Sequence, residues 1–320
     1  MKFSVLENGF DFVLESIRNI QTATQETDAN SKQRLLKYAL LHLSSGMELI
    51  FKYRLKQEHW TYVFQKMDTA DKNKLKSGDF ISVDNQTIID RLNRFCDIGF
   101  DMNDAIQLKS LKEKRNRLEH FEFNDQAVSV ESTVYKCITI LLKTIEANYV
   151  FDEFNPNEKE LFKLIHSELF ELGKHYNELK SLTQEELRQK KLESCVIGCP
   201  NCYEVFLLPD ETSATCQFCG YFASGEEVAS DYIRNVIGID DYKTIKDGGE
   251  FPQYECPECG VDSLVFDNAA TLTVICFSCG YKEDISKFNF CSSCNALFYK
   301  TADDIGICPD CIEYKLSKDC

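Results

Sequence analysis

Apolar residues recur every three or four positions through most of the first half of the chain. Phe3, Leu6, Phe10, Val13, Leu14, Ile17 and Ile20 form one such stripe and predict a helix over residues 3–23. Thr22 to Lys32 is polar and reads as a loop. Ser31 is placed to cap a second, longer helix that buries Leu35, Leu36, Ala39, Leu40, Leu43, Met47, Ile50, Phe51 and Leu55. The charged stretch Asp68–Asp84, which contains Gly78, predicts irregular chain. Further helices are expected over Gln86–Ile98, from an Asn103 cap through Ile106, Leu111 and Leu118 to His120, and over Ser129–Tyr149. Few residues here alternate as a strand does, so residues 1–152 are expected to form an antiparallel helical bundle. Asn155-Pro156-Asn157-Glu158 is a helix start, with Asn as cap, Pro at the first helical position and Glu three residues on. Its stripe runs through Leu161, Leu164, Ile165, Leu169 and Leu172, and Thr183-x-x-Glu186 predicts another start. Residues 153–194 therefore read as a helical connector whose apolar face packs on the bundle or on another chain.

From Cys195 the pattern changes to short alternating strands beside Cys-x-x-Cys turns. Twelve of the sixteen cysteines lie in six such pairs. In a reducing compartment this means metal rather than disulfides. The pairs group as Cys199/Cys202 with Cys216/Cys219, Cys256/Cys259 with Cys276/Cys279, and Cys291/Cys294 with Cys308/Cys311. The intervals of 13, 16 and 13 residues suit a β-hairpin between two metal-binding turns. In the second group Ser263–Phe266 and Leu272–Ile275 read as strands around a turn at Asp267–Thr271. Gly220, Gly260 and Gly280 each follow a pair, where a positive φ closes the turn. These modules resemble rubredoxin-like zinc ribbons over residues 196–222, 253–282 and 288–314. The expected layout is one ribbon in 195–225, a helical then Gly-rich spacer in 226–252, and ribbons in 253–284 and 285–320. Each would hold one structural Zn2+, since four cysteines leave no open position. Iron in place of zinc, redox-active pairs, pairing across modules and Cys195 in place of Cys199 are the alternatives. Cys96 and Cys137 read as core packing, and Cys320 has no partner signal.

Charge separates the two halves. The chain carries a formal −16: residues 1–195 hold 28 Lys/Arg against 31 Asp/Glu, and residues 196–320 hold 8 against 21. Three four-thiolate zinc sites would take the second half to about −19. Such a surface repels a polyphosphate, so nucleic acid is expected at the first half. Glu7 and Asp11 interrupt the N-terminus, and the longest largely apolar run, Cys137–Leu142, is too short to span a bilayer. A soluble, cytoplasmic protein is expected, with no membrane contact.

The candidate chemistry lies in Lys114-Arg115-Asn116-Arg117-Leu118-Glu119-His120-Phe121. RNA is cut without metal when a base takes the 2′-OH proton, an acid protonates the leaving 5′-oxygen and a cation stabilises the phosphorane. Histidine suits the proton transfers and arginine the phosphate. Asn116 is placed to bind phosphate or orient the imidazole, since Asn116 and His120 are one turn apart. Arg115 and His120 are about 140° apart around an ideal helix. A second Arg-x4-His, Arg54 with His59, lies in the second long helix.

Arg115-Asn116-Arg117-Leu118-Glu119-His120 resembles the R-x4–6-H motif of HEPN domains, including the polar residue after the arginine. Ser44-x-x-x-Glu48 is similar to the Ser/acidic pair near the same site in that family. The resemblance covers residues 1 to about 150. It implies a small helical bundle that dimerises, so that two motifs share one cleft. It also implies a metal-independent endoribonuclease leaving a 2′,3′-cyclic phosphate, with Arg115, Asn116 and His120 catalytic and Glu48 and Ser44 assisting. Many members act as toxins or in antiviral defence. The ribbons are then expected to recognise a target or a protein partner. The alternative is a non-catalytic adaptor that dimerises through the bundle and binds a protein or nucleic acid through the ribbons.

Overall fold

The computed structural model describes residues 3–121, 125–239, 244, 246, 251–267, 272–294, 297–300 and 305–318. The chain divides into two compact units, Met1–Leu179 and Lys180–Cys320.

The first unit is helical. Helix α1 (Val5–Gln25) starts on a capping box, in which Ser4 Oγ accepts from the Glu7 N–H (3.0 Å) and the Glu7 carboxylate accepts from the Ser4 N–H (2.6 Å). Helix α2 (Ala29–Glu58) is capped by Asp28 rather than Ser31, the Asp28 carboxylate accepting from the Ser31 N–H at 2.7 Å. A carboxylate also meets the positive end of the helix dipole, so Asp28 wins the cap. The two helices form an antiparallel hairpin in which Gly9 and Gly46 let the backbones touch. A Cβ on Gly46 would lie 2.8 Å from both Gly9 O and Val13 Cγ2. The stretch Asp68–Asp84 contains a short helix α3 (Lys72–Ser77), which starts on the Asp71 carboxylate and stops at Gly78 with φ 78°. The expected irregularity there is therefore partial. Helix α4 (Asn85–Phe95) follows, and its buried Arg91 donates to the Tyr62, Phe64 and Gln65 carbonyls at 2.5–2.9 Å. That fork ties the connecting loop to the bundle.

Helix α5 (Met102–His120) is capped by Asp101, not Asn103. Helix α6 (Ala127–Asn148) runs antiparallel to it, with Cys137 Sγ donating to Gln107 O and Lys114 meeting Ser129. Helix α7 (Pro156–Gln189) is continuous, so Thr183 starts no new helix. Its Phe162, Ile165, Leu169 and Leu172 are buried in the same core as α1, α2 and α6. Tyr135 stacks on Tyr176 at 4.8 Å, and the Tyr176 and Ser132 hydroxyls are 3.0 Å apart. The first part of the expected connector is thus a helix of the bundle, and the expected boundary after residue 152 lies inside the first unit, which runs to Leu179. Cys96 and Cys137 are core residues as expected, and burial pushes the Cys137 thiol up to about 12.

The second unit holds the short strands. Strands β1 (Leu207–Asp210), β2 (Ser213–Cys216) and β3 (Phe222–Ser224) form an antiparallel sheet. Helix α8 (Gly225–Tyr232) and a π-turn (Ile233–Ile237) follow. Strands β4 (Gln253–Glu255), β5 (Asp262–Asp267), β6 (Thr273–Cys276) and β7 (Lys282–Asp284) form a sheet in that order. Strands β8 (Phe288–Phe290) and β9 (Leu297–Tyr299) pair, and helix α9 (Pro309–Lys318) follows. β5 covers the first strand expected in the second module, β6 begins one residue after the expected Leu272, which has a positive φ of 52°, and most of the expected turn between them lies outside the described residues. So do most of the Gly-rich part of the spacer and Cys320. The helical part of the spacer is packed on the second module. Tyr232 meets Phe277 at 4.9 Å, and a Cβ on Gly225 would lie 2.9 Å from Ser278 Cα. Gly220, Gly260 and Gly280 take positive φ of 72°, 67° and 76°. Among the described residues no helix is long and apolar enough to cross a membrane.

Candidate metal centres and the α5 terminus

In each Cys-x-x-Cys turn the backbone curls back so that two thiols point the same way. A β-strand then brings the second turn opposite the first. The result is three groups of four sulfurs: Cys199/202/216/219, Cys256/259/276/279 and Cys291/294/308/311, with the sulfurs of each group all within 4.8 Å. Facing pairs are 3.7–3.8 Å apart: Cys199–Cys219, Cys202–Cys216, Cys256–Cys279, Cys259–Cys276 and Cys294–Cys308. Four sulfurs held ~2.3 Å from a tetrahedral centre are ~3.8 Å apart. The spacing therefore fits a tetrahedral metal and is far too long for a disulfide, whose sulfurs are ~2 Å apart. Backbone N–H groups donate to the sulfurs, among them Cys219 to Cys216, Cys279 to Cys276 and Cys308 to Cys291. Ser263 Oγ lies 3.1 Å from Cys276 Sγ. Such donors favour the thiolate form that binds metal. Every group is formed within one module, and Cys195 is exposed and belongs to none of the three. The first group is buried at all four corners, whereas Cys279 and Cys294 are exposed.

The α5 terminus is pinned from below. Lys114 is almost fully buried, and its ammonium donates to the Asp125 carboxylate and to Ser129 Oγ (2.9 Å). The next turn of the helix faces outward. Arg115 Nη1 lies 2.8 Å from Glu119 Oε2 and donates to Asn116 Oδ1 at 3.1 Å. His120 Nε2 lies 4.0 Å from the same Glu119 oxygen, with its side chain 65% exposed. Adding the two distances bounds the Arg115 Nη1 to His120 Nε2 separation at 6.8 Å. The wide angle between these residues on an ideal helix is thus closed by side-chain reach around Glu119. Glu119 was not among the expected site residues. Its i,i+4 relation to Arg115 is the signal that points to it.

Ser44 and Glu48 are both on α2. Ser44 is buried in α2, and Glu48 pairs with Lys52, whose ammonium also donates to Ser82 Oγ at 2.8 Å. One turn on, Phe51 packs on Phe100, just before α5 begins. Arg115 and His120 are at the other end of α5, a helix about 28 Å long. One chain brings together Arg115, Asn116, Glu119 and His120, while Ser44 is buried in α2 and Glu48 is paired with Lys52. The competing pair is locally engaged: Arg54 Nη1 lies 3.0 Å from Glu58, and His59 Nδ1 lies 2.7 Å from Thr61 Oγ1, its ring beside Trp60 and Tyr62. Comparison with protein-family models, with curated proteins and with solved structures finds no match to this chain.

Proposed function

We propose that the helical unit is a metal-independent endoribonuclease of the HEPN type, working as a homodimer at the α5 terminus in the cytoplasm. The four-cysteine modules would be zinc ribbons that recognise its target or a partner. The observation that carries this reading is the convergence of Arg115 and His120 on one carboxylate oxygen. Two nitrogens within 6.8 Å of each other suit a single phosphate, which would displace Glu119 and take its place.

The reaction needs a base and an acid, and each chain supplies one His120. In a dimer, one neutral His120 takes the 2′-OH proton as the 2′-oxygen bonds to phosphorus. The partner's protonated His120 donates to the 5′-oxygen as the P–O5′ bond breaks. Arg115 holds the equatorial oxygens as their charge grows. Asn116, already bound to Arg115, keeps the guanidinium in place. The buried Lys114–Asp125–Ser129 contact fixes the helix beneath. Zinc in the ribbons supplies only structure, because every coordination position is filled by cysteine.

The test is cleavage of total RNA and tRNA in EDTA by the parent protein, Arg115→Ala and His120→Ala. We expect 2′,3′-cyclic phosphate ends from the parent and a loss of about 10²–10⁴-fold in His120→Ala with an unchanged helical spectrum. Equal cleavage by all three would remove the site. The Arg115–Glu119 pair also favours the adaptor reading, because it neutralises the arginine. An adaptor would leave RNA intact and keep partner binding when His120 is replaced.

A further inference from the structure

The second unit contains a groove of about 410 Å³ between the second and third four-cysteine modules. All three residues of β4 line one wall and all three residues of β9 line the other. Its floor and walls include the rings of Tyr254, Phe288 and Tyr299, and its rim carries the exposed carboxylates of Glu255, Asp262 and Asp310. Phe288 and Tyr299 meet edge to face at 5.3 Å; Phe288 is buried, and Tyr299, 45% exposed, is the ring open to a ligand. Among the described residues no Lys, Arg or His lines it. Of the two lysines of the adjoining hairpin, Lys300 donates to the Ser286 carbonyl at 3.0 Å, while Lys287 pairs with Glu283 at 2.8 Å and also hydrogen-bonds the Tyr299 side chain.

Aromatic faces beside carboxylates attract a cation through both the ring quadrupole and charge. The surroundings strengthen this, since residues 196–320 hold 8 basic against 21 acidic side chains. Among the described residues β9 pairs with β8 on one side and is an outer strand of its sheet. An outer strand offers backbone groups to an added strand. We infer that this groove binds an extended, lysine- and arginine-rich segment of a partner protein. The segment lies along β9 as an added strand, with alternate cationic side chains over the Tyr299 ring and against the three carboxylates. The groove binds this peptide whether or not the α5 terminus cuts RNA. A phosphate polymer is excluded by the same charge that attracts the peptide.

The experiment uses full-length, metal-loaded protein and fluorescence anisotropy. The probes are a labelled alternating Lys-Val peptide, its Glu-Val counterpart, and a Lys-Val version with prolines that block backbone pairing. The parent should bind the Lys-Val peptide, weaken about tenfold or more with the proline version, and ignore the Glu-Val peptide. Glu255→Gln with Asp310→Asn should weaken binding about tenfold, and Tyr299→Ala should do so without any change of charge. Asp210→Asn with Glu211→Gln removes the same charge on the β1–β2 turn and should leave binding unchanged. Metal content and far-ultraviolet circular dichroism must match the parent in every variant used. Absence of binding, or equal weakening by the control pair, would overturn the proposal, the second showing attraction to an acidic surface only. Self-association competed away by the peptide would assign the groove to a second copy and also overturn it.

Discussion

Lys114 and Arg115 are adjacent on α5 and enter opposite environments. Lys114 is 1% exposed and bound to Asp125 and Ser129, while Arg115 faces outward to Glu119. Removing one partner of a buried pair leaves the other charge uncompensated, at a cost of about 3–5 kcal/mol. Lys114→Ala should lose that much in urea unfolding. Lys114→Met with Asp125→Leu should recover much of it, because neither charge is then stranded. If the single and double variants unfold alike, the pair is not what holds the helix end. In the sequence Lys114 is one of several basic residues on this helix, and nothing there marks it as the buried one. Its partner lies eleven residues on, beyond the end of the helix, and helical periodicity carries no information across such a break. The cysteines were legible for the opposite reason, since each Cys-x-x-Cys turn encodes its own geometry within four residues. Glu119 lay between: the i,i+4 pairing was visible, but its reach to His120 depends on side-chain rotamers.

At the scale of elements, helix existence followed from periodicity and the Asn155/Glu158 capping box of α7 from its motif, whereas the caps of α2 and α5 and the register did not. Asp28 and Asp101 cap α2 and α5 in place of Ser31 and Asn103, because several good capping residues lie within three positions and the carboxylate gains from the dipole as well. α7 continues through Thr183 because a polar start signal does not break a helix that lacks proline or glycine at that point. The level of Ser44 and Glu48 relative to His120 is set by antiparallel register, which is a property of helix pairs. The α1–α2 hairpin tests this scale directly. In Gly46→Ala the added methyl meets Gly9 O and Val13 Cγ2 at 2.8 Å. The helices must separate, at a cost of about 1–3 kcal/mol, read as a lowered melting temperature. An unchanged melting temperature would mean that the close approach is not required.

At the scale of the whole molecule the two units rest on different physics. The first buries an extensive apolar core, while the second module of the other unit has a small one formed by Cys256, Leu264, Val274, Cys276 and Phe288. Two of those five residues are cluster cysteines, so in this module metal binding and folding should be coupled. Excess chelator should open the second unit to hydrogen exchange while most of the first unit's helical signal remains. Protection of both units after verified metal removal would show that the cysteine clusters are not what holds the second one. The close seat of α8 on the second module has a further effect. Gly225 starts α8 directly after β3, while Ser278 and Phe277 stand between two ligands of the next cluster. A Pro209 ring atom also lies 3.5 Å from where a Cβ on Gly280 would be. Filling the first cluster should order the surface on which the second forms, and reciprocity then requires the second to raise the affinity of the first. Loading of these two sites should therefore be cooperative, with few molecules holding one ion alone.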